Sequence, residues 1–513
     1  MLARLCIATA KTDLSMKISL KLFRLIFTIF VMVLTCVSQA GADSIEPADK
    51  ITLRNSKIIA ELNHHGLIRI HDVEMDKSVE FQDDESAINI DGEQIDTAQL
   101  QPSAIKQETG AVSYSYIIGS RHITVIYELK QGWRFIGKKL TISCEGKDEF
   151  RIGSVEVFRA KLINQVANEL LIHRGSQGAL LRLDESNNSG YGIFLLIQNP
   201  FMNWVFNDQK ISMSYQADME WKASYGTFES DMACIGPYKL TGTKFPIRPV
   251  PEWQYTTNPP TTNNTIDIAE IEAMQDCVRK FLTFQTTKSI RIDVGWCNND
   301  YQIDVGTPEG ISEYKRIIDR AADLGCQYVL YAPRNSQVSN HSENHDAWGW
   351  EELLWLSLGQ KIRKGEWDPA TDQVPSSVQQ MLDYAKTKNV KLVAYVYPTL
   401  DYKQNPEWTK WAGDHVGGYI GVDTGLRSFQ DWFIDKLVEF HNKTGIGGYS
   451  FDHWWIGYDN ASSKYAQWYG CRRILNELRK RVPDIVIDGR QQYQWFGPWT
   501  WVAGNYPHPT TTD

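Results

Sequence analysis

The chain has 513 residues, a formal net charge of -9 and a hydrophobic content of 42%. This length suits about two or three domains, and the apolar content allows large cores, which argues against a disordered chain. A mildly acidic chain without basic runs is a poor ligand for nucleic acid, so we predict no nucleic-acid partner.

The first part of the chain has the layout of a targeting segment. Basic residues between 17 and 24 precede the mostly apolar run 25–35, and small residues at Ala40–Ala42 form a cleavage site. Met16 is a candidate start codon. Because an apolar run of 11 residues is too short to span a bilayer, we predict a signal peptide over 1–42. The mature protein is then secreted or periplasmic, without a stable membrane span.

The cysteines beyond the signal peptide are scattered, without a CxxC pair or a zinc spacing. We predict that these cysteines are buried as small apolar residues. One or two disulfides are the alternative in an exported chain. These cysteines are Cys144, Cys234, Cys277, Cys297, Cys326 and Cys471.

Residues 45–245 predict a β-sandwich. Segments such as 57–62 and 123–129 alternate apolar and polar residues or run through β-branched and aromatic residues, with Gly, Asn and Asp between them. Many short strands with frequent turns are typical of a sandwich. Five prolines between 246 and 265 then predict a linker.

Residues 266–513 predict alternating strands and helices, which is the pattern of parallel βα units. About six units fit a (β/α)8-type barrel whose C-terminal end is incomplete, and a flavodoxin-like open sheet is the alternative. The predicted helices are 268–284, 311–324, 376–388, 428–444 and 464–482. The predicted strands are 290–294, 326–331, 390–397, 448–451, 485–488 and 499–504.

Ligands of both architectures bind at the carboxyl ends of the strands, and polar and aromatic residues mark those ends here. A carboxylate at such a place is either functional or a loop cap paired with a cation. The candidates for substrate binding are Asp293, Trp296, Arg334, Tyr397, His453, Trp454, Trp455 and Arg490.

The sharpest motif is the apolar strand 448–451 followed by Asp452, His453 and two tryptophans. Asp452 is suited to attack or stabilise a positively charged anomeric carbon, and indole faces stack on sugar rings. Core packing and a structural histidine are the competing interpretations. The required second carboxylate is Asp488, Asp293 or Asp513.

Fifteen of the 18 tryptophans lie after residue 250, and several fall in predicted loops or loop edges. Aromatic residues in loops on a rigid scaffold indicate ligand binding. The long segment 336–375 is expected to form a wall of the pocket. The loop tryptophans are Trp348, Trp350, Trp355, Trp367, Trp495, Trp499 and Trp501.

Three stretches resemble a known family. Residues 51–62 with Gly66-Leu67 resemble the start of the galactose-mutarotase-like super-sandwich that precedes many glycosidase barrels. Residues 292–296 (Ile-Asp-Val-Gly-Trp) are similar to the Asp-Gly-Trp strand end of the α-galactosidase clan, and Phe451-Asp452 resembles the clan's nucleophile on its fourth strand. The order of sandwich, linker and barrel matches that clan over nearly the whole mature chain.

The resemblance implies that Asp452 is the nucleophile of a retaining α-glycosidase and that Asp513 is its acid/base. The chain departs from the clan at Ser450, where a lysine is usual, and at Val294, where one of two paired aspartates is usual. Asp513 is also the last residue, so a chain that ended there would have a damaged site.

The sequence therefore predicts an exported glycoside hydrolase, galactosidase-like, acting on an oligo- or polysaccharide. The alternative is a non-catalytic carbohydrate-binding protein or an inactive, truncated homologue. No phosphate loop, zinc pattern or nucleophile elbow occurs at a useful position, so no cofactor or metal is predicted, with calcium left open. The sugar, the linkage and the oligomeric state stay open as well.

Overall fold

The structure is a computed structural model. It describes residues 50–172, 176–186, 190–246, 265–280, 290–292, 303–330, 336, 354, 357–359, 367–396, 398, 402, 405–416, 419–451, 461–489 and 506–507. The predicted signal peptide and most of the predicted linker lie outside these residues.

Seventeen strands occupy the N-terminal part of the described chain. They are β1 (Ile51–Arg54), β2 (Ile58–Asn63), β3 (Gly66–Asp72), β4 (Lys77–Ile90), β5 (Glu93–Asp96), β6 (Ala104–Glu108), β7 (Ala111–Ile118), β8 (Arg121–Glu128), β9 (Ile136–Cys144), β10 (Glu149–Leu162), β11 (Asn168–Ile172), β12 (Gly178–Asp184), β13 (Tyr191–Ile197), β14 (Asn203–Asn207), β15 (Lys210–Lys222), β16 (Phe228–Glu229) and β17 (Ala233–Lys239). Alternate residues of strands such as β2 are buried, which is the period expected when one face of a sheet covers a core.

These strands form two antiparallel sheets. One has the order β1-β2-β3-β4-β10-β15-β14, with β5 beside β4, and the other has the order β11-β12-β13-β17-β9-β8-β7-β6, with β16 beside β9. The buried Asp84 of the first sheet accepts hydrogen bonds from Tyr127 Oη, 2.7 Å away, and Lys138 Nζ, 2.5 Å away, both in the second sheet. The sheets therefore face each other, and the predicted β-sandwich is confirmed.

A helix follows the sandwich and packs on it. The elements here are β18 (Lys244–Pro246), which pairs with β19 (Thr265–Asp267), and α1 (Ile268–Arg279). Asp267 and Glu270 cap the helix reciprocally, and Arg182 of the sandwich contacts the Glu270 carboxylate at 2.7 Å. Because Arg182 and Glu270 are both buried, this ion pair fixes α1 to the sandwich.

The C-terminal part contains a six-stranded parallel sheet with helices between its strands. Its strands are β20 (Ile290–Ile292), β21 (Cys326–Leu330), β22 (Lys391–Val396), β25 (Gly448–Phe451), β26 (Val486–Gly489) and β27 (Tyr506–Pro507), and a separate hairpin contains β23 (Ala412–Val416) and β24 (Tyr419–Val422). The helices are α2 (Pro308–Asp323), α3 (Ser376–Thr387), α4 (Trp408–Trp411), α5 (Arg427–Thr444) and α6 (Lys464–Arg481).

The order of the parallel strands is the order of the chain, β20-β21-β22-β25-β26-β27. A doubly wound sheet reverses its strand order at a switch point, whereas a barrel adds each strand to the same side. The six described strands therefore do not have the flavodoxin-like order. The strand predicted at 499–504 lies outside the described residues.

The first turns of α6 contact the sandwich. Tyr465 Oη donates to Asp231 Oδ2 at 2.7 Å, Arg472 pairs with the same carboxylate, and Ser463 Oγ donates to Ala217 O at 2.5 Å. Burial raises the pKa of Tyr465 well above its ordinary value, so this hydroxyl stays a donor at neutral pH. The βα region and the sandwich are thus joined by directional contacts.

Five cysteines lie within the described chain, and all five are buried and form no disulfide, which confirms the predicted burial of these thiols. Cys297 lies outside the described residues. Of the helices that the structure describes, none has both the length and the apolar character needed to cross a membrane.

Candidate functional site

The carboxyl ends of four parallel strands lie side by side. Val396 is in register with Phe451, Phe451 with Gly489, and Gly489 with Pro507. Each of these residues is the last of its strand. We call this row of strand ends the carboxyl edge; in a parallel α/β sheet it is the edge where ligands bind.

Four predicted site residues directly follow strands of this sheet in the sequence. Asp293 follows β20, Tyr397 follows β22, Asp452 follows β25 and Arg490 follows β26. Most of the predicted site residues lie outside the described residues, so their roles stay predictions. These are Asp293, Trp296, Arg334, Tyr397, Asp452, His453, Trp454, Trp455, Arg490 and Asp513.

Asp488 is the predicted site residue whose backbone is described. It lies in β26, one residue before the strand end, in register with Ser450 on one side and Tyr506 on the other. The sequence predicted it as the last residue of the strand, whereas the strand continues to Gly489.

Strand β25 is rigidly held. All four of its residues are buried, and Tyr449 Oη donates a 2.5 Å hydrogen bond to Leu437 O of α5. Gly448 allows a close approach of the next strand, because a Cβ atom there would lie 2.1 Å from Val486 O. The strand therefore fixes the position from which the segment that begins with Asp452 departs.

The far end of that segment is fixed at Ser462. Asp423 Oδ2 accepts hydrogen bonds from the backbone N–H and the hydroxyl of Ser462, both at 2.8 Å. Asp423 Oδ1 accepts from Gly425 N at 2.9 Å, so both oxygens of this buried carboxylate are used. We call Asp423 and Ser462 the loop clamp, since they join the chain segments that follow β22 and β25.

Contacts behind the loop clamp hold it against α6. Gln467 Nε2 donates to Ser462 O at 2.6 Å, and Thr424 Oγ1 donates to Gln467 O at 3.1 Å. Ser463 Oγ accepts from Ala466 N at 3.0 Å and so caps α6. Gly470 is required here, because a Cβ atom on it would lie 1.9 Å from Thr424 O.

Aromatic residues support the chain after β22. Tyr402 is fully buried, and its hydroxyl donates to Pro398 O at 2.9 Å. Its ring contacts the rings of Phe429 and Trp432, each with a centroid separation of 5.7 Å. This packing fixes the backbone of Pro398 close to the carboxyl edge.

One of the predicted loop tryptophans has a structural role. Trp367 is buried, its Nε1 donates to Gln373 O at 3.1 Å, and its ring packs edge-on against Phe440. Its interpretation as a ligand-binding aromatic is therefore wrong, because a ring packed on α5 is closed to ligand. Trp348, Trp350, Trp355, Trp495, Trp499 and Trp501 lie outside the described residues.

Sequence reasoning missed the loop clamp. A signal was available: Asp423 is two residues before Gly425, and Ser462-Ser463 immediately precedes α6. Asp and Ser at such positions cap turns and helices through their side-chain oxygens. Their pairing across 39 residues of sequence, by contrast, depends on the packing of α5 and α6.

No metal-ligating group is assembled among the described side chains, since no three His, Cys, Asp or Glu side chains there converge as ligands.

No protein-family model matches the sequence, and the comparison with curated proteins finds no match. Among solved structures, the fold is similar to that of a variant of the GH36 alpha-galactosidase AgaA from Geobacillus stearothermophilus in complex with 1-deoxygalactonojirimycin, with a TM-score of 0.53 and 9% identity over 89% of this chain and 74% of that one. AgaB from the same organism gives a TM-score of 0.51 and 9% identity over 90% and 74% of the two chains. A further AgaA variant, in complex with raffinose, has a TM-score of 0.51 and 9% identity, covering 89% of this chain and 74% of that chain. At this identity the likeness concerns the fold, and in the fold this chain resembles GH36 alpha-galactosidases.

Proposed function

We propose that this protein is an exported glycoside hydrolase, a retaining α-glycosidase with galactosidase-like specificity for oligo- or polysaccharides. The observation that carries the proposal is the carboxyl edge, where β22, β25 and β26 end in register. Asp452 follows the central one of these three strands, and the parallel sheet belongs to a chain that resembles GH36 alpha-galactosidases in fold.

The proposed architecture is a signal peptide over 1–42, a sandwich over 45–245, a linker over 246–265 and a barrel domain over 266–513. The sequential order of the six parallel strands supports a barrel, since each strand adds to the same side of the sheet.

The proposed mechanism uses two carboxyl groups in two steps. Asp452 attacks the anomeric carbon while the glycosidic C–O bond breaks, and an acid protonates the departing oxygen. Asp513 is the proposed acid, with Asp488 and Asp293 as the alternatives. Water, deprotonated by the same group, then attacks the anomeric carbon and releases Asp452, so the configuration at this carbon is retained.

The decisive experiment measures hydrolysis of aryl α-galactosides by the Asp452→Asn variant. An amide is a far weaker nucleophile than a carboxylate, so kcat should fall by several orders of magnitude. The matched control is Asp435→Asn, because Asp435 is exposed on α5. The kcat of this control variant should equal that of the parent protein. Undiminished turnover in Asp452→Asn would refute the assignment.

Stereochemistry tests the retaining mechanism separately. Proton NMR of the first product should show the α-anomer before mutarotation. An initial β-anomer would indicate inversion. Tight saccharide binding without any turnover would select the alternative of a non-catalytic carbohydrate-binding protein.

A further inference from the structure

A cavity of about 830 Å³ lies between the sandwich and the βα region. Its volume is within the range of about 300–1,000 Å³ that small-molecule sites occupy, and such sites favour domain junctions. One wall comes from β10 and β15, and the other comes from the start of α5 and the segment before α6.

The sandwich wall is a row of exposed charges. Asp218, Glu220 and Lys222 alternate along β15 on the face away from the core, and Arg151 of β10 stands opposite Glu220. Because every second residue of a strand points to the same face, these side chains share one surface.

The opposite wall contains the loop clamp and Arg427 at the start of α5. Arg427 Nε has no hydrogen-bond partner among the described residues, and it forms an ion pair with Asp431 Oδ1 at 3.4 Å. The guanidinium stands 4.7 Å from the centroid of the Tyr225 ring of the sandwich. This contact and the Ser463–Ala217 hydrogen bond hold the two walls together.

The charges of the lining nearly cancel. Four basic side chains and three acidic ones line the cavity, together with serine hydroxyls and the Gln430 amide. A site for an ion of one sign collects side chains of the opposite sign. A mixture of donors and acceptors suits hydroxyl groups, because each hydroxyl both donates and accepts.

The cavity also lies towards the functional end of the βα region. The segment before α6 follows β25, which ends at the carboxyl edge. The segment before α5 belongs to the longer connection that begins at the end of β22 and includes the hairpin of β23 and β24. In such units these segments are on the same side of the sheet as the ligand site.

We propose that this cavity is a second saccharide-binding site, distinct from the carboxyl edge, which takes a neutral oligosaccharide through its hydroxyl groups. The choice of a sugar over another hydroxyl-rich ligand rests on the proposed function. Such a site would hold one part of a long substrate while another part is cleaved.

Calorimetric titration with raffinose, a neutral trisaccharide, tests the proposal in the Asp452→Asn background, where the ligand stays intact. We expect two raffinose molecules per chain. Glu220→Leu combined with Lys222→Leu should reduce this to one, because both side chains lie in the lining. The control is Lys210→Leu, at the other end of β15, which should keep two.

Binding at one site or none in the parent, or two sites in the double variant, would overturn the second site. If an acidic trisaccharide binds at the second site more tightly than raffinose, and only at low salt, the proposal that the ligand is neutral is wrong. The side chains of Lys210, Glu220 and Lys222 are exposed, and thermal melting verifies the folding of each variant.

Turnover of small aryl glycosides, measured with Asp452 intact, separates the two proposals. If two raffinose molecules bind but no aryl glycoside is hydrolysed, the proposed hydrolase activity is refuted and the second site is kept. If aryl glycosides are hydrolysed but one raffinose molecule binds, the second site is refuted and the hydrolase activity is kept.

Discussion

Asp423 and Ser462 are joined by two hydrogen bonds of 2.8 Å, in which one carboxylate oxygen receives both the N–H and the hydroxyl of the serine. These residues belong to the segments that connect β22 to α5 and β25 to α6. The second segment begins at Asp452, the proposed nucleophile. β25 therefore restrains the start of this segment, and the loop clamp restrains its other end at Ser462.

Replacing Asp423 with Ala should lower both stability and turnover. The part-buried N–H groups of Gly425 and Ser462 lose their acceptors, and the loss should cost at most about 1–3 kcal/mol for each donor, the penalty of a fully buried one. If the segment from Asp452 then loses its position, kcat for an aryl α-galactoside falls while KM changes little. Chemical denaturation and steady-state kinetics measure the two effects.

Asp423→Asn is the matched comparison, because its amide oxygen still accepts hydrogen bonds. It should recover part of the lost kcat. If kcat in Asp423→Ala falls only in proportion to the fraction of protein that is unfolded, then the loop clamp stabilises the fold and does not position Asp452.

The buried pair Asp84 and Lys138 leads to a prediction about the sandwich. Both side chains are almost fully buried, and the Lys138 ammonium lies between the two sheets beside the rings of Tyr127 and Phe158. Burial raises the pKa of Asp84 and lowers that of Lys138, so each charge depends on the other.

Lys138→Met should destabilise the protein by about 3–5 kcal/mol, since it leaves a buried carboxylate without its cation. The double variant Asp84→Leu with Lys138→Met should be less destabilised than this single variant, because it leaves no charge in the core. Urea unfolding of the parent, of Lys138→Met, of Asp84→Leu and of the double variant gives the coupling between the residues. If the double variant loses as much unfolding free energy as the two single variants together, the two charges do not depend on each other.

Local patterns predicted the secondary structure closely. The helix over Arg427–Thr444 and the strand over Gly448–Phe451 agree with the sequence because apolar spacing and a terminal glycine mark their bounds. The hairpin of β23 and β24 was missed, since its ends are set by packing and not by periodicity. The loop clamp was missed for the same reason: its two halves meet only once α5 and α6 pack against each other.

His441 lies in the last turn of α5. Its Nδ1 atom is shielded from solvent and has no hydrogen-bond partner among the described residues. Burial lowers the pKa of this histidine below its ordinary value of 6.5, and the nearby Lys391 adds to this effect, while a hydrogen bond with the Ile446 backbone opposes it. In the folded protein the ring is therefore neutral at neutral pH.

The sign of the pH effect follows from this direction. The unfolded chain takes up the proton at a higher pH than the folded protein, so the contribution of His441 to stability is complete above about pH 6.5. It is lost as the pH falls through the lowered pKa of the folded state. His441→Gln should therefore reduce the loss of unfolding free energy between about pH 7 and pH 5.

Denaturant titrations across this interval measure the slope, and His65→Gln is the control, because His65 is exposed in the turn between β2 and β3. The slope should be smaller in His441→Gln than in this control. If His441→Gln leaves the slope unchanged, then His441 takes up its proton equally well in both states, and burial does not keep it neutral.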